Sequence, residues 1–278
     1  MMPVKTRDVP SRFDPQFFTE DDLADLASFT GMSTDQCLER VLSYSMDEMA
    51  HAWEIARPSS PSEVIDFYRA TDLYVWEQMQ WHSSLARAPY WEALRSFAES
   101  YPPSSEFSTI FDFGSGIGTD ALFLAQRGYD VTAVDVDGPA FAFAKHRFDR
   151  RNVRCRFIES MSEIPDPRGL FDAAICFDVF EHLSDPLGAA RSLIDGLRSG
   201  GVLLQQATFT DTGVHPCHLK SGIDRFSGLR WHISLAGMGM KSERPLEYVK
   251  CQGFSRWIQK SRHDLWRTTG LWFVKVDS

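Results

Sequence analysis

A glycine-rich turn between a strand-like and a helix-like segment constrains this sequence most. The apolar run at 108–113 leads into Gly114, Gly116 and Gly118, and a helical pattern follows. Glycine adopts positive φ angles and lets a ligand approach the backbone closely. A second strand-like run ends in Asp135, 17 positions after the last of these glycines. A carboxylate there can accept hydrogen bonds from a ribose diol, as in dinucleotide-binding βαβ units.

The spacing of the glycines distinguishes this turn from a dinucleotide-binding fingerprint. It reads GxGxG rather than GxGxxG, and Asp112 precedes the first glycine. The dinucleotide motif offers a helix N-terminus to a pyrophosphate, next to which a carboxylate is unfavourable. The same carboxylate suits a ligand that carries an ammonium or sulfonium charge. A glycine loop alone is also compatible with an ordinary strand–helix turn.

Proline and serine residues at 101–105 separate two regions of different pattern. The first region carries helix start signals and no strand-like alternation, and helices are predicted at 20–30, 34–43, 46–56, 61–84 and 88–100. In the second region helices alternate with candidate strands at 108–113, 131–135, 154–159, 171–177, 201–208, 244–250 and 269–276. This alternation predicts an α/β fold with a mostly parallel sheet. We therefore expect a helical lid or cap at 1–105 and a ligand-binding domain at 106–278.

Charge and cysteine usage narrow the classes of partner. The formal net charge is −9, whereas a protein that grips phosphate backbones needs a basic face. The one basic stretch, Lys145–Arg156, is interpreted as a solvated helix end. Five cysteines without a CxxC motif suit a reducing compartment, and neither a signal peptide nor an apolar run of about 20 residues is visible. We expect a soluble, cytoplasmic protein that binds neither nucleic acid nor membrane.

Residues 108 to about 208 resemble the class I S-adenosylmethionine-dependent methyltransferases, of the broad group that includes ubiquinone-biosynthesis enzymes. Four motifs in the family's order carry this resemblance: Asp112–Gly118, Val134–Val136, Phe171–Pro186 and Leu197–Leu203. The resemblance implies a Rossmann-like, seven-stranded, mostly parallel sheet with helices on both faces, extended here by the N-terminal helices. It also implies S-adenosyl-L-methionine as cofactor and S-adenosyl-L-homocysteine as product.

The resemblance assigns cofactor contacts by position. The implied cofactor-binding residues are Asp112, Gly114, Ser115, Gly116, Gly118, Asp135, Val136, Ser160, Met161, Asp178 and Val179. The glycines would pass under the methionyl group, Asp135 would bind the ribose and Val136 would pack on adenine. Many relatives carry an aspartate where this chain has Ser160, which leaves the adenine contact to Ser160 or to the Met161 backbone.

Candidate catalytic residues follow the fourth and fifth strands. Glu181 and His182 come after the fourth strand, and relatives often carry the same pair. His215 and His218 follow the fifth strand, on either side of Cys217. Histidine is well matched to act as a base near neutral pH. A helix-capping role for His182, and a structural or metal-binding role for the 215–218 loop, are the alternatives; no metal site is predicted.

Aromatic side chains are concentrated in the predicted helix at 61–84. Tyr68, Tyr74, Trp81 and His82 are the candidate substrate-binding residues, since N-terminal helices often cover the active site in related enzymes. Such rings can also stabilise a sulfonium by cation–π contact. Ordinary packing of a helix on the sheet is the alternative for each of them.

These observations predict methyl transfer to an oxygen, nitrogen or carbon of a small molecule by in-line displacement. Decarboxylation or rearrangement on the same fold, and a protein that binds the cofactor without catalysis, are the alternatives. A nicotinamide-dependent oxidoreductase fits less well because of the glycine spacing. The N-terminal helices leave a homodimer open. Neither the acceptor nor the atom methylated follows from the sequence.

Overall fold

The computed structural model describes residues 18–164, 166–210, 217–242 and 271–275. Six helices lie between residues 18 and 100, and together they are called the N-terminal layer. They are α1 (Glu20–Thr30), α2 (Thr34–Ser43), α3 (Met46–Ala56), α4 (Pro61–Ala70), α5 (Leu73–His82) and α6 (Ala88–Ser100), with one 3₁₀ turn at Leu85–Arg87. The helices predicted at 20–30, 34–43, 46–56 and 88–100 are confirmed.

Hydroxyl side chains begin the first four helices, as their sequence signals predict. Each accepts a hydrogen bond from a backbone N–H of the first turn, and the side chain three positions later accepts one from the backbone N–H of the cap residue. The four pairs are Thr19–Asp22, Ser33–Gln36, Ser45–Glu48 and Ser60–Glu63. These capping boxes satisfy backbone donors that the helix itself leaves open, which explains why the boundaries could be predicted.

The prediction of a single helix at 61–84 is wrong, because the helix is interrupted at Thr71 and two helices, α4 and α5, take its place. This residue has an extended conformation, with φ −91° and ψ 132°, and its hydroxyl accepts a hydrogen bond from the N–H of Leu73. A threonine can thus offer the backbone a partner outside the helix. The break brings Tyr68 of α4 next to Tyr74 of α5, with ring centroids 5.0 Å apart.

A mixed sheet forms the second half of the fold. Its strands are β1 (Thr109–Phe113), β2 (Asp130–Val134), β3 (Arg156–Ile158), β4 (Phe171–Phe177), β5 (Leu197–Gln206), β6 (Met240–Ser242) and β7 (Leu271–Lys275), in the order β3-β2-β1-β4-β5-β7-β6. Strands β1 to β5 pair in parallel, and β7 runs antiparallel to both of its neighbours. The intervening helices are α7 (Thr119–Ala125), α8 (Pro139–Arg150), α9 (Pro186–Gly196), α10 (Lys220–Phe226) and α11 (Arg230–Gly237). The predicted α/β class with a mostly parallel sheet is confirmed.

One predicted strand has a different start, one observed strand was not predicted, and one predicted strand cannot be compared. Strand β5 begins at Leu197 rather than at the predicted residue 201, because Leu197 pairs with Phe171 before a register shift realigns the strand. Gly200, with φ +72°, allows this irregularity. Strand β6 was not predicted, and the strand expected at 244–250 lies outside the described residues.

Helices cover both faces of the sheet. Ile110 and Phe111 alternate along β1, and they belong to two separate apolar clusters. Ile110 packs in the cluster that includes α6, α7 and α8, and Phe111 packs in the cluster that includes α9 and α11. Strands β1 and β4 are neighbours at the centre of the sheet, and the chain continues from β1 to β2 on one side and from β4 to β5 on the other. The carboxyl ends of β1 and β4 therefore border a crevice between the two helical layers, where ligands of such folds bind.

Buried ion pairs attach the N-terminal layer to α8. Asp22 and Asp25 of α1 are buried, and they contact Arg147, Arg150 and Arg151. The distances are 2.8 Å from Arg147 to Asp22 and 2.8 Å from Arg150 to Asp25. The interpretation of Lys145–Arg156 as a solvated helix end is thus wrong for its central arginines, since nothing in a single helix pattern shows a distant acidic partner. No helix within the described ranges is long and apolar enough to cross a bilayer.

Candidate active site

The glycine loop after β1 is built from left-handed backbone conformations. Gly114, Gly116 and Gly118 have φ angles of +74°, +52° and +72°. A methyl group on Gly114 would lie 2.3 Å from Cγ2 of Val179, which leaves no space for any side chain. The N–H of Gly114 donates to the carbonyl of Val134 at 2.9 Å, so the loop is fixed to the end of β2.

Asp135 holds the loop and faces the same opening. Its carboxylate accepts hydrogen bonds from the N–H of Gly116 at 2.6 Å and from the N–H of Val136 at 2.7 Å. Burial raises the pKa of Asp135 to about 6, and these two hydrogen bonds oppose that shift. The carboxylate is thus positioned by the backbone at the edge of a cavity, where a ribose diol could reach it.

A cavity of about 940 Å³ lies above the carboxyl ends of β1, β2 and β4. Most of the predicted site residues line it. From the cofactor set these are Gly114, Ser115, Gly116, Asp135, Val136, Ser160, Met161, Asp178 and Val179; from the catalytic and substrate sets they are Glu181, His182, His218, Tyr68, Tyr74, Trp81 and His82. The structure therefore brings together residues that are up to 150 positions apart in the sequence.

Two of the predicted residues that the structure describes do not line the cavity. Asp112 is buried beneath the loop, where it accepts a hydrogen bond from the N–H of Ala121, and burial raises its pKa well above the usual value. Gly118 packs below the loop against Ala144. Both shape the loop from beneath rather than forming the cavity wall. His215 lies outside the described residues.

Ser160 lines the cavity but uses its hydroxyl locally. It accepts a hydrogen bond from the N–H of Ser162 at 3.2 Å, and Glu163 in turn accepts one from the N–H of Ser160 at 3.0 Å. These contacts cap the short turn at Met161–Glu163. The hydroxyl is therefore committed to the turn, and the neighbouring backbone is left to face the cavity.

Asp178 leaves β4 in a left-handed conformation, with φ +54°. The hydroxyl of Tyr90, on α6, donates a hydrogen bond of 2.8 Å to its carboxylate. Few residues other than glycine adopt such a φ, and those that do often occupy functional positions. Tyr90 was not predicted, since its partner lies 88 positions away.

One carboxylate oxygen of Glu181, a residue that lines the cavity, has no hydrogen-bond partner within the described residues. The N–H of Thr208 donates to Oε1 at 2.8 Å, whereas Oε2 is buried and makes no hydrogen bond within the described residues. Burial, followed by the nearby Asp178 carboxylate, raises the pKa of Glu181 to about 8. A buried carboxyl with a spare oxygen can take up or release a proton near neutral pH.

His182 is oriented by two contacts at the same ring nitrogen. Its Nδ1 lies 3.1 Å from the carbonyl oxygen of Cys217 and 3.2 Å from the hydroxyl of Tyr68. The ring meets that of His218 edge-on, with centroids 4.8 Å apart. A proton on Nδ1 that is donated to the Cys217 carbonyl leaves Nε2 as a lone-pair acceptor, which is the form that a general base requires.

Glu181, His182 and His218 also form a group with the composition of a metal site. One ligand atom from each lies within 4.8 Å of the others. Two imidazoles and a carboxylate are a common ligand set for divalent metals. That the site holds no metal therefore stays a prediction. An activity assay with and without a chelator would test it.

Two buried charges that line the cavity were missed from the sequence. Arg87, just before α6, forms a bidentate pair with Asp120 at the start of α7, with distances of 2.9 Å and 2.6 Å. Arg87 is 2% exposed. The pair joins the N-terminal layer to the helix that follows the glycine loop. The sequence shows only a charged residue near the beginning of each of two largely apolar helices, α6 and α7, and nothing that relates the two charges.

Gln78 connects the N-terminal layer directly to the glycine loop. Its Oε1 accepts a hydrogen bond of 2.9 Å from the N–H of Ile117. A methyl group on Gly116 would lie 2.1 Å from the same oxygen. The side chain thus rests on the loop, and α5 helps to shape the cavity floor.

Glu77, also on α5, lines the cavity and was not predicted. It makes no hydrogen bond or ion pair within the part of the chain that the structure describes. Burial, with the Asp178 carboxylate as a smaller cause, raises the pKa of Glu77 to about 7. The cavity thus contains a carboxyl group for which the described residues supply no cation.

We expect Glu77→Gln to stabilise the protein more at pH 8 than at pH 5. The folded state binds the Glu77 proton more tightly than the unfolded chain, so folded-state stability falls as the pH rises from about 4.5 towards 7. The gain in free energy of unfolding should be larger at pH 8 by roughly 1–2 kcal/mol, measured by urea denaturation. Glu54→Gln, at an exposed position of α3, is the control and should show no such difference. An equal effect of Glu77→Gln at both pH values would contradict the expectation.

The comparisons with known proteins agree with this geometry. The family described as "Methyltransferase domain" matches residues 111–205, from β1 to β5. This central part of the chain is thus similar to methyltransferase domains. The glycine loop, Asp135 and the segment from Asp178 to His182 all lie inside the matched residues.

Individual relatives are similar over parts of their length. A 23S rRNA (uracil(747)-C(5))-methyltransferase of Pyrococcus horikoshii is 35% identical over 28% of this chain and 19% of its own length. A ubiquinone biosynthesis O-methyltransferase of Alkalilimnicola ehrlichii is 24% identical over 55% of this chain and 59% of its own length. The solved structure of Haemonchus contortus phosphoethanolamine N-methyltransferase 2 in complex with S-adenosyl-L-methionine is 18% identical, with a TM-score of 0.45, over 67% of this chain and 53% of that one. The chain thus spans less than two thirds of these relatives.

Proposed function

We propose that the protein transfers a methyl group from S-adenosyl-L-methionine to a small-molecule acceptor. The observation that carries the proposal is the shared cavity: the glycine loop and Asp135 lie at one side of it, and Glu181, His182 and His218 lie at another. Methyl transfer is an in-line displacement at a sulfonium. It therefore needs a cofactor site and an acceptor-activating group within one enclosed space.

The cofactor is proposed to lie across the carboxyl ends of β1 and β2. Its ribose would bind the Asp135 carboxylate, its adenine would pack on Val136 near Met161, and its methionyl group would pass over Gly114. The backbone supports this placement because the left-handed glycines leave no side chain between the loop and the cavity. The fully buried Asp112 would hold the loop from beneath without touching the cofactor.

The acceptor is proposed to meet the cofactor at His182. With Nδ1 hydrogen-bonded to the Cys217 carbonyl, Nε2 would accept the proton of the attacking group. The proton would move as the bond forms between the nucleophilic atom of the acceptor and the methyl carbon of the cofactor. Glu181 and His218 would orient the imidazole and share that proton. His215 remains a candidate from the sequence alone. The positive charge of the sulfonium disappears as the methyl group leaves. The anionic cavity wall would therefore bind the uncharged thioether of the product less tightly than the sulfonium, and this would assist product release.

Helices α3 to α5 are proposed to act as the cap of the cavity and to select the acceptor. Tyr68, Tyr74, Trp81 and His82 line it, and Gln78 contacts the glycine loop. The acidic balance of the chain supports a small molecule rather than a nucleic acid. Dimerisation through these helices is a further proposal that sedimentation would test.

The experiment is product analysis with cofactor labelled in the methyl group. Label should reach an acceptor in a panel of small hydroxylated and amine compounds, with S-adenosyl-L-homocysteine formed in equal amount. Consumption of cofactor without label in the acceptor would instead indicate rearrangement or decarboxylation. His182→Ala and His218→Ala should reduce turnover while S-adenosyl-L-homocysteine still binds. Full turnover by both variants would exclude these histidines as the base, and a parallel assay with a chelator tests the metal.

We expect Asp135→Ala to weaken S-adenosyl-L-homocysteine binding by roughly 10- to 100-fold, because charge-assisted hydrogen bonds to two ribose hydroxyls are lost. Isothermal titration calorimetry measures this. Asp137→Ala is the matched control: this exposed carboxylate two positions later pairs with Lys145 and should leave the affinity unchanged. Equal affinities of the Asp135 variant and the parent protein would place the ribose elsewhere.

A further inference from the structure

One face of α5 presents a carboxyl group between two aromatic rings. Tyr74, Glu77 and Trp81 are spaced by three and four residues, which places them on the same side of a helix. All three line the cavity. The Tyr74 ring is close to that of Tyr68, with centroids 5.0 Å apart, and the Trp81 ring meets Tyr90 edge-on at 6.1 Å. The rings are therefore held in place by neighbours.

The charges of the cavity wall are strongly unbalanced. Six carboxylates line it: Glu77, Asp120, Asp135, Glu159, Asp178 and Glu181. Among the described lining residues, Arg87 is the one arginine or lysine, and it is paired with Asp120. Asp135, Asp178 and Glu181 each accept a hydrogen bond from the protein. Glu77 accepts none within the described part of the chain, and it shares a helix face with Tyr74 and Trp81.

A buried carboxylate without a partner is unfavourable unless a ligand supplies the missing charge. Aromatic faces attract cations, and an ammonium group between rings and a carboxylate combines both interactions. The side chains that α3 and α4 contribute to the wall include Met46, Met49, Val64 and Ile65. This part is apolar, and it suits the hydrocarbon body of the same ligand.

We infer that Tyr74, Glu77 and Trp81 form a subsite for the ammonium group of the acceptor, which is an amine with an apolar body. The inference rests on the proposed function, because it names the class of molecule that shares the cavity with the cofactor. The ammonium group is a recognition group in this subsite; the nucleophile is the atom that meets His182. Anionic acceptors are disfavoured by the same wall.

The test compares three probes of similar size and different charge: 2-phenylethylamine, 2-phenylethanol and 3-phenylpropanoate. Binding is measured by calorimetry at pH 7.5 with S-adenosyl-L-homocysteine present. We expect the amine to bind at least tenfold more tightly than the alcohol, and the carboxylate to bind most weakly. Similar affinities for the amine and the alcohol, or tighter binding of the carboxylate, would overturn the inference.

Variants separate the subsite from general effects. Glu77→Gln should reduce amine binding about tenfold, which is a fold-change typical of a lost charge pair in a partly desolvated site, and should leave the alcohol unchanged. Tyr74→Leu should weaken the amine similarly, whereas Tyr74→Phe should retain it because the ring remains. Glu54→Gln changes the net charge equally on the exposed side of α3 and should have no effect. Equal amine affinity in Glu77→Gln and the parent protein would contradict the subsite.

The cofactor affinity of each variant tells the two proposals apart. If S-adenosyl-L-homocysteine binds normally and label reaches an uncharged acceptor while amines do not bind, the subsite is wrong and methyl transfer stands. If the cofactor product does not bind to the parent protein, the proposed function itself fails. A variant that retains cofactor binding is folded, so a loss of amine binding in it reports on the subsite.

Discussion

Gly114→Ala should reduce S-adenosyl-L-homocysteine affinity at least 100-fold. The residue has φ +74°, and its new methyl group would lie 2.3 Å and 2.9 Å from the two Cγ atoms of Val179. Left-handed backbone costs a residue with a Cβ about 1–2 kcal/mol, and overpacking adds about 1–3 kcal/mol. Valine is branched at Cβ and cannot turn both methyl groups away. The loop must therefore move, and Asp135 and the Gly116 N–H lose their alignment.

Two further variants identify the cause. Gly200→Ala also places a side chain at φ +72°, but no atom lies within 4 Å of its Cβ; it should cost stability and leave cofactor binding unchanged. Adding Val179→Ala to Gly114→Ala removes the two clashing methyl groups and should restore part of the affinity. Calorimetry with S-adenosyl-L-homocysteine measures all three proteins. Unchanged affinity in Gly114→Ala would mean that the cofactor does not depend on this loop.

The parts of the fold that sequence predicted well are those with local causes. Capping boxes at Thr19, Ser33, Ser45 and Ser60 depend on residues within one helical turn. The glycine loop and Asp135 depend on one strand–turn–helix unit, so their relation was visible in about thirty residues. The break at Thr71 was missed because both halves of 61–84 carry a helical pattern, and only tertiary packing favours the extended residue between them.

The parts that sequence missed are polar and charged side chains whose surroundings come from distant segments of the chain. Glu77 and Gln78 sit in a helical pattern whose polar positions are usually solvent-exposed. Their function becomes visible only when α5 is seen to lie over the glycine loop. The arginines of α8 and the acids of α1 likewise looked like two solvated surfaces, and they neutralise each other in the folded protein. A single sequence shows the charges but not the pairing.

Arg87→Met should lower the free energy of unfolding by about 3–5 kcal/mol, the range for removing one partner of a buried ion pair. Arg87 is 2% exposed and is the counterion of more than Asp120. Burial raises the pKa of Asp112 and that of Asp178, and the charge of Arg87 opposes this rise in both. Without it, three buried carboxyl groups would lie near one another, and at least one of them must take up a proton or drive the helices apart.

Chemical denaturation of Arg87→Met, Asp120→Asn and the double variant gives the coupling between the two side chains. The double variant should be less destabilised than the sum of the single variants, because no charge is left unpaired. Arg168→Ala is the control, since this exposed arginine pairs with an exposed Asp166 and its removal should leave the free energy of unfolding unchanged. A loss below about 1 kcal/mol in Arg87→Met would mean that water reaches the pair. The expected loss would instead show that the N-terminal layer is held to the glycine-loop helix by charge, so that the cap of the cavity and the floor of the cofactor site unfold together.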